Sequence, residues 1–600
     1  AGVQVISSSG IIGSSARIQI RGISSLTGDN QPLFVVDGVP IINAARQIDP
    51  FGESTDYDTY YETGVDVGAV DFGNSAADIS PNDIKSINIL KGANAAALYG
   101  NRALNGVVEI TTKSGKGAGL VQKRGLGISY SSHLTFRTYY PLVEFQNKYG
   151  QGSPPMDEDS GLPATEGVGS YGEFAYYDGD YGGVNDGVDE SWGPPLDGYL
   201  SQYYDDWYGD HDYIQVQGKG KPLLISQFNS PFADGTVDPS IPSWNRTPTP
   251  WVSHPDNVRD YFETGFSQLH NISVYGGSRE ANFRVSYTYE GDKGIIPNTD
   301  QLRNSVYLSG NIQVNAKLSV SGVANYVNTS NDNLTGNGYN SNNPMQQFTG
   351  WFGRQVDTKW LKNNVKAEDG TPLRWNYSYH DNPYWIVEEN TNSRIRHRTF
   401  GHLEADYQFY DWLSMTARGG IDVYTENRIY RKAKLTNDFP DGQFVENNDL
   451  NRETNFDVFV RANRSLTADI DVTALVGANY RSNRYRWQQT IVDGLIIPDL
   501  YAVSNSSVTP TTNTQLRRTE YNAVYGRLSA GYKDYLFLEV TGRNDWSSTL
   551  PEKNNSYFYP SVSGSFLFSE FFDIDPQDVF GKIRARWAQV GNTADPYSLS

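Results

Sequence analysis

Apolar and polar residues alternate along most of the chain beyond residue 125, in segments of about 9–13 residues. The clearest segment is 280–290, where Phe283, Val285, Tyr287 and Tyr289 all fall on one face. A period of two predicts a β-strand with one apolar and one polar face. Strands of this length, tilted by roughly 45°, reach across a lipid bilayer.

Thirteen segments share this pattern, and we predict each of them as a spanning strand: 128–136, 270–274, 280–290, 306–314, 318–326, 396–407, 413–423, 456–462, 470–480, 524–532, 536–540, 558–568 and 582–587. The links between them are alternately short and long. Among the long ones we predict loops at 328–393, 426–454 and 482–518. Short turns on one side and long loops on the other are typical of a transmembrane antiparallel β-barrel, so the predicted fold class is mainly β.

The first part of the chain has a different pattern. Residues 80–115 predict a strand at 84–90, a short Ala-rich helix at 93–99 that ends at Gly100, and a second strand at 107–112. We predict that the acidic insert at 49–78 is an exposed loop. Close approach of backbones is expected at three glycines, which are Gly92, Gly100 and Gly106.

Several sequence blocks resemble a known family. LKGA at 90–93, ALYG at 97–100 and NGVVEITTK at 105–113 are similar to the plug of TonB-dependent outer-membrane transporters. ARIQIRGISSLTGDNQPLFVVDGVPI at 16–41 resembles the SusC (SusC/RagA-like) subfamily of Bacteroidetes, and so does RWAQVGN at 586–592. The resemblance implies an α/β plug domain at 1–118 that occludes a barrel, of which 119–600 would be the N-terminal part.

The same resemblance implies which plug residues matter for structure or gating: Arg21, Gly22, Asp37, Gly38, Gly92, Tyr99, Gly100, Asn105 and Gly106. For Arg21 and Asp37, ordinary ion pairs with barrel groups are the alternative. The family also implies roughly 22 strands in the closed barrel, an even number as in other single-chain bacterial barrels. The remaining strands, the signal peptide and the segment gripped by TonB are therefore expected outside residues 1–600.

As a function, the resemblance implies TonB-dependent import of oligomeric nutrients, glycans first, across the outer membrane. A SusD-like surface lipoprotein would act as a lid and the TonB–ExbB–ExbD complex would supply energy, with a dimer of SusC–SusD pairs as a further expectation. Peptides are the alternative cargo. Two rivals from other classes are a surface adhesin that does not transport and a surface glycosidase.

Composition narrows these choices. The net charge of −20 argues against a nucleic-acid partner, and the absence of Cys excludes thiol catalysis, Cys-ligated zinc and disulfides. A mean hydropathy of −0.55 and the lack of a long apolar run argue against a transmembrane helix. Neither a catalytic constellation nor a metal-spaced group of the seven His is apparent, so we expect no enzyme and no required cofactor.

Two sets of loop residues are candidates for binding. Asp178, Asp180 and Asp186 have the spacing of a calcium loop, although Gly182 and Asp189 depart from it, and an acidic solvated loop is the alternative. Exposed aromatic rings suit sugars and peptides, and packing within the loops or against a partner is the alternative. The tryptophans concerned are Trp207, Trp244, Trp251, Trp351, Trp360, Trp375 and Trp385.

Basic residues alternate on the last predicted strand. Lys582, Arg584 and Arg586 share one face, which we predict to line the lumen. They would pair with acidic residues of the plug or, as the alternative, guide an anionic substrate.

Overall fold

The fold was analysed in a computed structural model. The structure describes residues 2–7, 9–22, 30–43, 70–91, 99–114, 125–141, 143–152, 189–191, 193, 196, 224–225, 227–231, 247, 249–278, 280–338, 343–377, 379–575, 579–591 and 596.

Six short strands build the N-terminal region. They are β1 (Val3–Ser7), β2 (Ala16–Ile20), β3 (Leu33–Val36), β4 (Val39–Ile41), β5 (Ile84–Leu90) and β6 (Val107–Thr112). Strands β1 and β2 pair with each other, and the other four form a sheet in the order β4-β3-β6-β5, with β3 parallel to β6. The bounds of β5 and β6 are those predicted. Of the predicted helix, only Tyr99 lies within the described residues, so that prediction stays open.

A single antiparallel sheet of thirteen strands forms the rest of the fold, as predicted. Its first strand is β7 (Gly125–Arg137). A separate short pair follows in the chain, β8 (Leu224–Ile225) and β9 (Thr249–Pro250), and does not belong to this sheet. The other twelve strands of the sheet are β10 (Gly265–Gly277), β11 (Ala281–Lys293), β12 (Asp300–Gln313), β13 (Leu318–Asn331), β14 (Asn392–Tyr410), β15 (Leu413–Lys432), β16 (Gln443–Thr467), β17 (Ile470–Asp493), β18 (Thr511–Tyr532), β19 (Leu536–Ser547), β20 (Ser556–Leu567) and β21 (Lys582–Ala588). We call this thirteen-stranded sheet the wall. Its edges are β7 and β21, and within the described residues these two do not pair.

The two faces of the wall differ as the alternation predicts. On β11, Phe283 and Val285 are exposed on the outer face, whereas Arg284 and Ser286 are buried on the inner face. Buried polar residues also alternate with exposed apolar ones along β12 and β15 to β17, whereas the edge strands β7 and β21 are exposed on both faces. The outer face is therefore suited to lipid and the inner face to polar contacts.

Two predicted loops were wrong in extent. Strands β15, β16 and β17 are 20, 25 and 24 residues long, so the predicted loops at 426–454 and 482–518 are mostly strand. The connections shrink to 433–442 and 494–510. Outer-face residues such as Glu446, Asn448 and Arg452 are polar, because these ends of the strands rise beyond the apolar band, and so the alternation fades.

Four short helices lie on the side of the long connections: α1 (Asn257–Tyr261), α2 (Pro344–Gly350), α3 (Thr358–Asn363) and α4 (Pro383–Glu388). We call them, with the segments that join them, the cap. Asn343, Asp357 and Asn382 accept hydrogen bonds from the first N–H groups of α2, α3 and α4, and this capping fixes their starts. A further short helix, α5 (Phe568–Phe571), lies between β20 and β21.

No helix among the described parts of the chain is long and apolar enough to cross a membrane.

The end of the acidic insert corrects another prediction. Residues 44–69 lie outside the described residues, but Val70, Phe72 and Asp78 are buried, not exposed. Val70 and Phe72 pack with Tyr430 and Val445 of the wall. The acidic composition concealed a short segment that docks on the inner face, because its two apolar residues are too few to give a periodic pattern.

Candidate functional site

The N-terminal region, called the plug below, packs its sheet against the inner face of the wall. Phe34 of β3 and Ile110 of β6 join a buried apolar cluster with Val327 of β13 and Phe400 of β14. Full burial of such a side chain contributes about 1.5–3 kcal/mol each. This apolar contact gives the plug one preferred position on the wall.

Arg398 of β14 is the centre of the polar contact beside that cluster. Its side chain is 1% exposed. Its Nε and Nη2 donate to the two carboxylate oxygens of Asp422 at 2.9 and 2.7 Å. Its Nη1 donates to Asp78 Oδ2 at 2.7 Å, and backbone carbonyls of Ser75 and Ile42 accept at 2.9 Å. One side chain thus ties two segments of the plug to two strands of the wall.

Asp78 is the acidic partner in the plug. Arg396 Nη2 also donates to its Oδ2, at 2.7 Å. Burial alone would raise the pKa of the Asp78 carboxyl, but the charges of Arg396, Arg398 and Arg303 outweigh it and hold the pKa below its usual value of 3.8. The carboxyl group is therefore ionised, and each arginine keeps a compensating charge.

Two further ion pairs join the plug to the wall. Asp83 accepts from Arg284 Nη2 at 2.9 Å, and both side chains are less than a tenth exposed. Arg102 Nη1 donates to Glu453 Oε1 on β16 at 2.8 Å, with Arg102 24% exposed. The second pair is the more hydrated one, so its attraction is more strongly screened.

Asp37 bonds within the plug. Its carboxylate accepts from the N–H of Thr112 at 2.9 Å and from Thr112 Oγ1 at 2.5 Å. Thr112 Oγ1 in turn lies 2.6 Å from the hydroxyl of Tyr307 on β12. Asp37 and Arg21 make no ion pair with the wall within the described residues, and the alternative of direct pairing stays a prediction. The N–H of Arg21 donates to the carbonyl of Gly2 at 2.9 Å.

Gly38 and Gly100 lie where the plug touches the wall. Gly38 has a φ of +83°, and a Cβ there would come 2.2 Å from Nη1 of Arg418. That same Nη1 donates to the Gly38 carbonyl at 2.9 Å. Gly100, at φ +74°, would place a Cβ 2.7 Å from Asp545 Oδ2. Both positions need glycine for backbone conformation and for space.

Five candidate residues of the plug remain, namely Tyr99, Asn105, Gly22, Gly106 and Gly92. Burial and the nearby Glu109 raise the pKa of Tyr99 to about 12, so its hydroxyl stays protonated. Asn105 Nδ2 donates weakly to the Gln31 carbonyl at 3.5 Å. Two glycines have positive φ, namely Gly22, which faces open space, and Gly106, whose Cβ would meet Ile20 Cδ1 at 2.9 Å. Gly92 lies outside the described residues.

A small polar cavity of about 40 Å³ lies between the plug and the wall at β16 to β19. The plug contributes Gly38, Pro40, Tyr99 and Arg102. The wall contributes only polar side chains, which are Asn455, Asp457, Asn479, Arg481, Tyr521, Arg543 and Asp545. Such a lining suits a ligand rich in hydrogen-bonding groups.

Comparison with known proteins agrees with this geometry. Residues 1–107 match the family model described as TonB-dependent Receptor Plug Domain. TonB-dependent receptor SusC of Bacteroides thetaiotaomicron is 23% identical, over 100% of this chain and 50% of that protein. TonB-dependent receptor P26 of Formosa agariphila is 25% identical, over 100% of this chain and 49% of that protein.

The first 107 residues thus match the plug domain of TonB-dependent receptors, and the whole chain is similar to SusC-type receptors. It spans about half the length of the curated relatives it matches. Among solved structures, the RagAB peptide importer in its closed-closed state aligns with a TM-score of 0.67 at 18% identity, over 99% of this chain and 57% of that chain. That likeness concerns the fold, in which a wall of β-strands encloses a plug.

The cap holds Trp351, Trp360, Trp375 and Trp385 of the seven candidate tryptophans, and Trp251 lies just before α1. Trp207 and Trp244 lie outside the described residues. Trp251, Trp375 and Trp385 are buried, with exposures of 0%, 1% and 3%. Packing within the loops, the alternative left open by the sequence, accounts for these three. Trp351 and Trp360 are half-buried at the edge of the same apolar cluster. Contact with a cargo or a lid stays a prediction for the set.

The three aspartates of the predicted calcium site, Asp178, Asp180 and Asp186, lie outside the described residues. Within the described ranges, no group of three or more His, Cys, Asp or Glu could hold a metal ion. The next acidic residue, Asp189, is engaged elsewhere, since its Oδ2 lies 2.6 Å from His380 Nε2. Calcium binding stays a prediction.

The basic face of β21 contacts the plug in one place. Arg586 Nη1 donates to the carbonyl of Lys91 at 2.8 Å. Among the described residues, neither Lys582, Arg584 nor Arg586 makes an ion pair, and pairing with acidic plug residues stays a prediction. The partner is a backbone carbonyl, which offers partial negative charge at no cost in side-chain ordering.

Sequence reasoning missed Arg398 and Asp78, although a signal existed. Arg394, Arg396 and Arg398 alternate on β14 as do the basic residues of β21, and so they share the inner face. A row of arginines facing the lumen requires anions opposite it. Within the plug, the acidic insert that ends at Asp78 is a source of such anions.

Proposed function

We propose that this protein takes part in TonB-dependent import of oligomeric nutrients, glycans in the first place, across the outer membrane. The observation that carries the proposal is a plug held in the bore of the wall by the buried Asp78, Arg396 and Arg398 contact. A filled bore stops passive diffusion of oligomers. Uptake then requires bound cargo and work from outside the barrel.

The same proposal names the partners. A SusD-like surface lipoprotein would close over the cap side, and TonB with ExbB and ExbD would pull on the plug from the other side. A dimer of two such transporter–lipoprotein pairs is included in the proposal. The polar inner face and the cap, with Trp351 and Trp360 half-buried, support an oligomer lying between lid and plug.

Peptides are the competing cargo, because RagAB, whose fold is similar, is a peptide importer. Fluorescent uptake by cells that express the full-length protein separates the two. Labelled oligosaccharides and labelled peptides are given to cells with and without TonB. The same cells are compared with and without the SusD-like lipoprotein. TonB-dependent accumulation of either class supports import and names the cargo. Surface binding that persists without any TonB-dependent accumulation supports the adhesin instead.

A calcium site at Asp178, Asp180 and Asp186 is a separate and smaller proposal. Its support is the spacing of the three carboxylates. A higher melting temperature of the full-length protein with calcium than with a chelator, absent in the triple Asp→Asn variant, is the expected result. Equal melting temperatures would remove the site.

A further inference from the structure

One arginine in the cavity between plug and wall has no partner. Among the described residues, the side chain of Arg481 on β17 makes no ion pair and donates no hydrogen bond. Its Nε is sealed from solvent and unpaired. Its guanidinium carbon lies 4.3 Å from the ring centroid of Tyr521, the residue directly opposite on β18. The guanidinium thus lies against the ring, and Arg481 lines the cavity.

The other two arginines around the cavity have ion-pair partners. Arg102 pairs with Glu453, and Asn483 also donates to that carboxylate at 3.4 Å. Arg543 Nε donates to Asp545 Oδ1 at 2.6 Å.

Asp457 accepts a hydrogen bond from the neutral hydroxyl of Tyr525 at 2.7 Å. Arg481 feels the charges of Glu453 and Asp545 from a distance, but among the described residues it is the arginine of this cavity without a direct ion pair. A half-buried charge without a partner costs free energy, which a bound anion would recover.

We propose that Arg481 is a binding residue for a carboxylate of the cargo, which makes acidic oligomers the preferred substrate class. A stacked guanidinium offers two parallel N–H groups, which match the two oxygens of a carboxylate. The amides of Asn455 and Asn479 lie in the same lining and suit the hydroxyls or amides next to such a group. This inference rests on the proposed import function. The carboxylate belongs either to a uronic acid of a glycan or to a peptide.

The test is a binding titration of the full-length protein in detergent, by calorimetry. The probes are a short oligogalacturonate and its methyl ester, and a short peptide with a free and with an amidated C-terminus. We expect one acid to bind at least tenfold more tightly than its neutral analogue, since hydrogen bonds to charged groups are among the strongest. Whichever pair shows the difference names the source of the carboxylate.

Two variants locate the effect. Arg481→Gln should lose about tenfold or more of the affinity for that acid and leave the neutral analogue unchanged. Arg461→Gln is the matched control: this arginine of β16 also has an unpaired buried Nε and lies 5.5 Å from the ring of Phe459, but outside the cavity. It should leave all affinities unchanged.

The proposal is overturned if Arg481→Gln binds both acids as the unchanged protein does, or if Arg461→Gln weakens them equally. Arg481→Lys, which keeps the charge but not the paired N–H groups, guards against a folding defect and should retain part of the preference. Binding in detergent does not depend on TonB. A failed uptake assay therefore speaks against import without touching this result.

Discussion

The plug meets the wall in two contrasting ways. Against β14 and β15 the contact is dense, because Arg398 alone makes five hydrogen bonds and Asp78 is shared by Arg396 and Arg398. Against β16 to β19 the described part of the plug has one ion pair, Arg102 with Glu453, and then a polar cavity. The first side is a docking surface and the second is a gap lined for a ligand.

This difference indicates an order of events when the plug is displaced. Breaking the Asp78 contact leaves charges buried without partners, whereas breaking the Arg102 contact leaves Glu453 beside Asn483 and near Arg481. The first costs far more than the second. We expect the plug to separate first from β16 to β19, which widens the existing cavity.

The largest expected effect comes from Asp78→Asn. The change leaves Arg396 and Arg398 short of a compensating charge in a buried site, so the free energy of plug opening should fall by about 3–5 kcal/mol. Hydrogen exchange of the β3 and β6 amides in increasing urea measures that free energy. Asp469→Asn, at an exposed pair with Lys533, is the control and should change it by less than about 0.5 kcal/mol. Equal effects of Asp78→Asn and Asp469→Asn would mean that the Asp78 contact does not hold the plug.

Acid should weaken the contact of the plug with β14, which Asp78 makes. The pKa of Asp78 is lower in the folded protein than its usual value of 3.8, so the stabilisation is complete above that value and is lost as the pH falls through the folded pKa. The urea midpoint of plug opening, compared at neutral pH and near pH 3, should drop more in the unchanged protein than in Asp78→Asn. Parallel curves for the two proteins would show that other carboxyl groups dominate.

A methyl group at Gly100 should have an intermediate effect. Gly100→Ala meets the strain of a positive φ and the approach of its Cβ to Asp545 Oδ2, at 2.7 Å. Gly22→Ala, at φ +98° with open space around it, meets the strain alone. We expect Gly100→Ala to cost about 1 kcal/mol more than Gly22→Ala in the same exchange measurement. A difference near zero would mean that the Arg543–Asp545 pair yields easily.

The smallest effect should follow Arg102→Met. Since Arg102 is 24% exposed, water screens its attraction to Glu453, and we expect a loss of only about 1 kcal/mol in plug opening. Exchange at β3 and β6 checks this value too. A cost that equals that of Asp78→Asn would make both sides docking surfaces.

The sequence predicted the strands well because lipid and lumen impose opposite demands on alternate residues. All thirteen strands of the wall and both β5 and β6 were found in this way. The upper halves of β16 and β17 were missed, since polar residues face water on both sides there. A pattern of period two needs two different environments.

The contacts of the candidate site were less predictable. Asp78 and Arg398 are separated by 320 positions, and neither is unusual in its own neighbourhood. The glycines were found because the backbone requires them locally, but the reason for Gly100 lies on β19, far along the chain. Local constraints are legible in a sequence, whereas the pairing of distant side chains needs the fold.

The length of β16 has a consequence for what the cell presents to its surroundings. Its 25 residues extend about 80 Å at about 3.3 Å each, or roughly 55 Å along the membrane normal at a tilt near 45°. A hydrocarbon layer about 30 Å thick surrounds only part of that height. The rest forms a rigid collar above the lipids, so antibodies or phage tails would touch a hydrogen-bonded sheet there before they reach the bilayer.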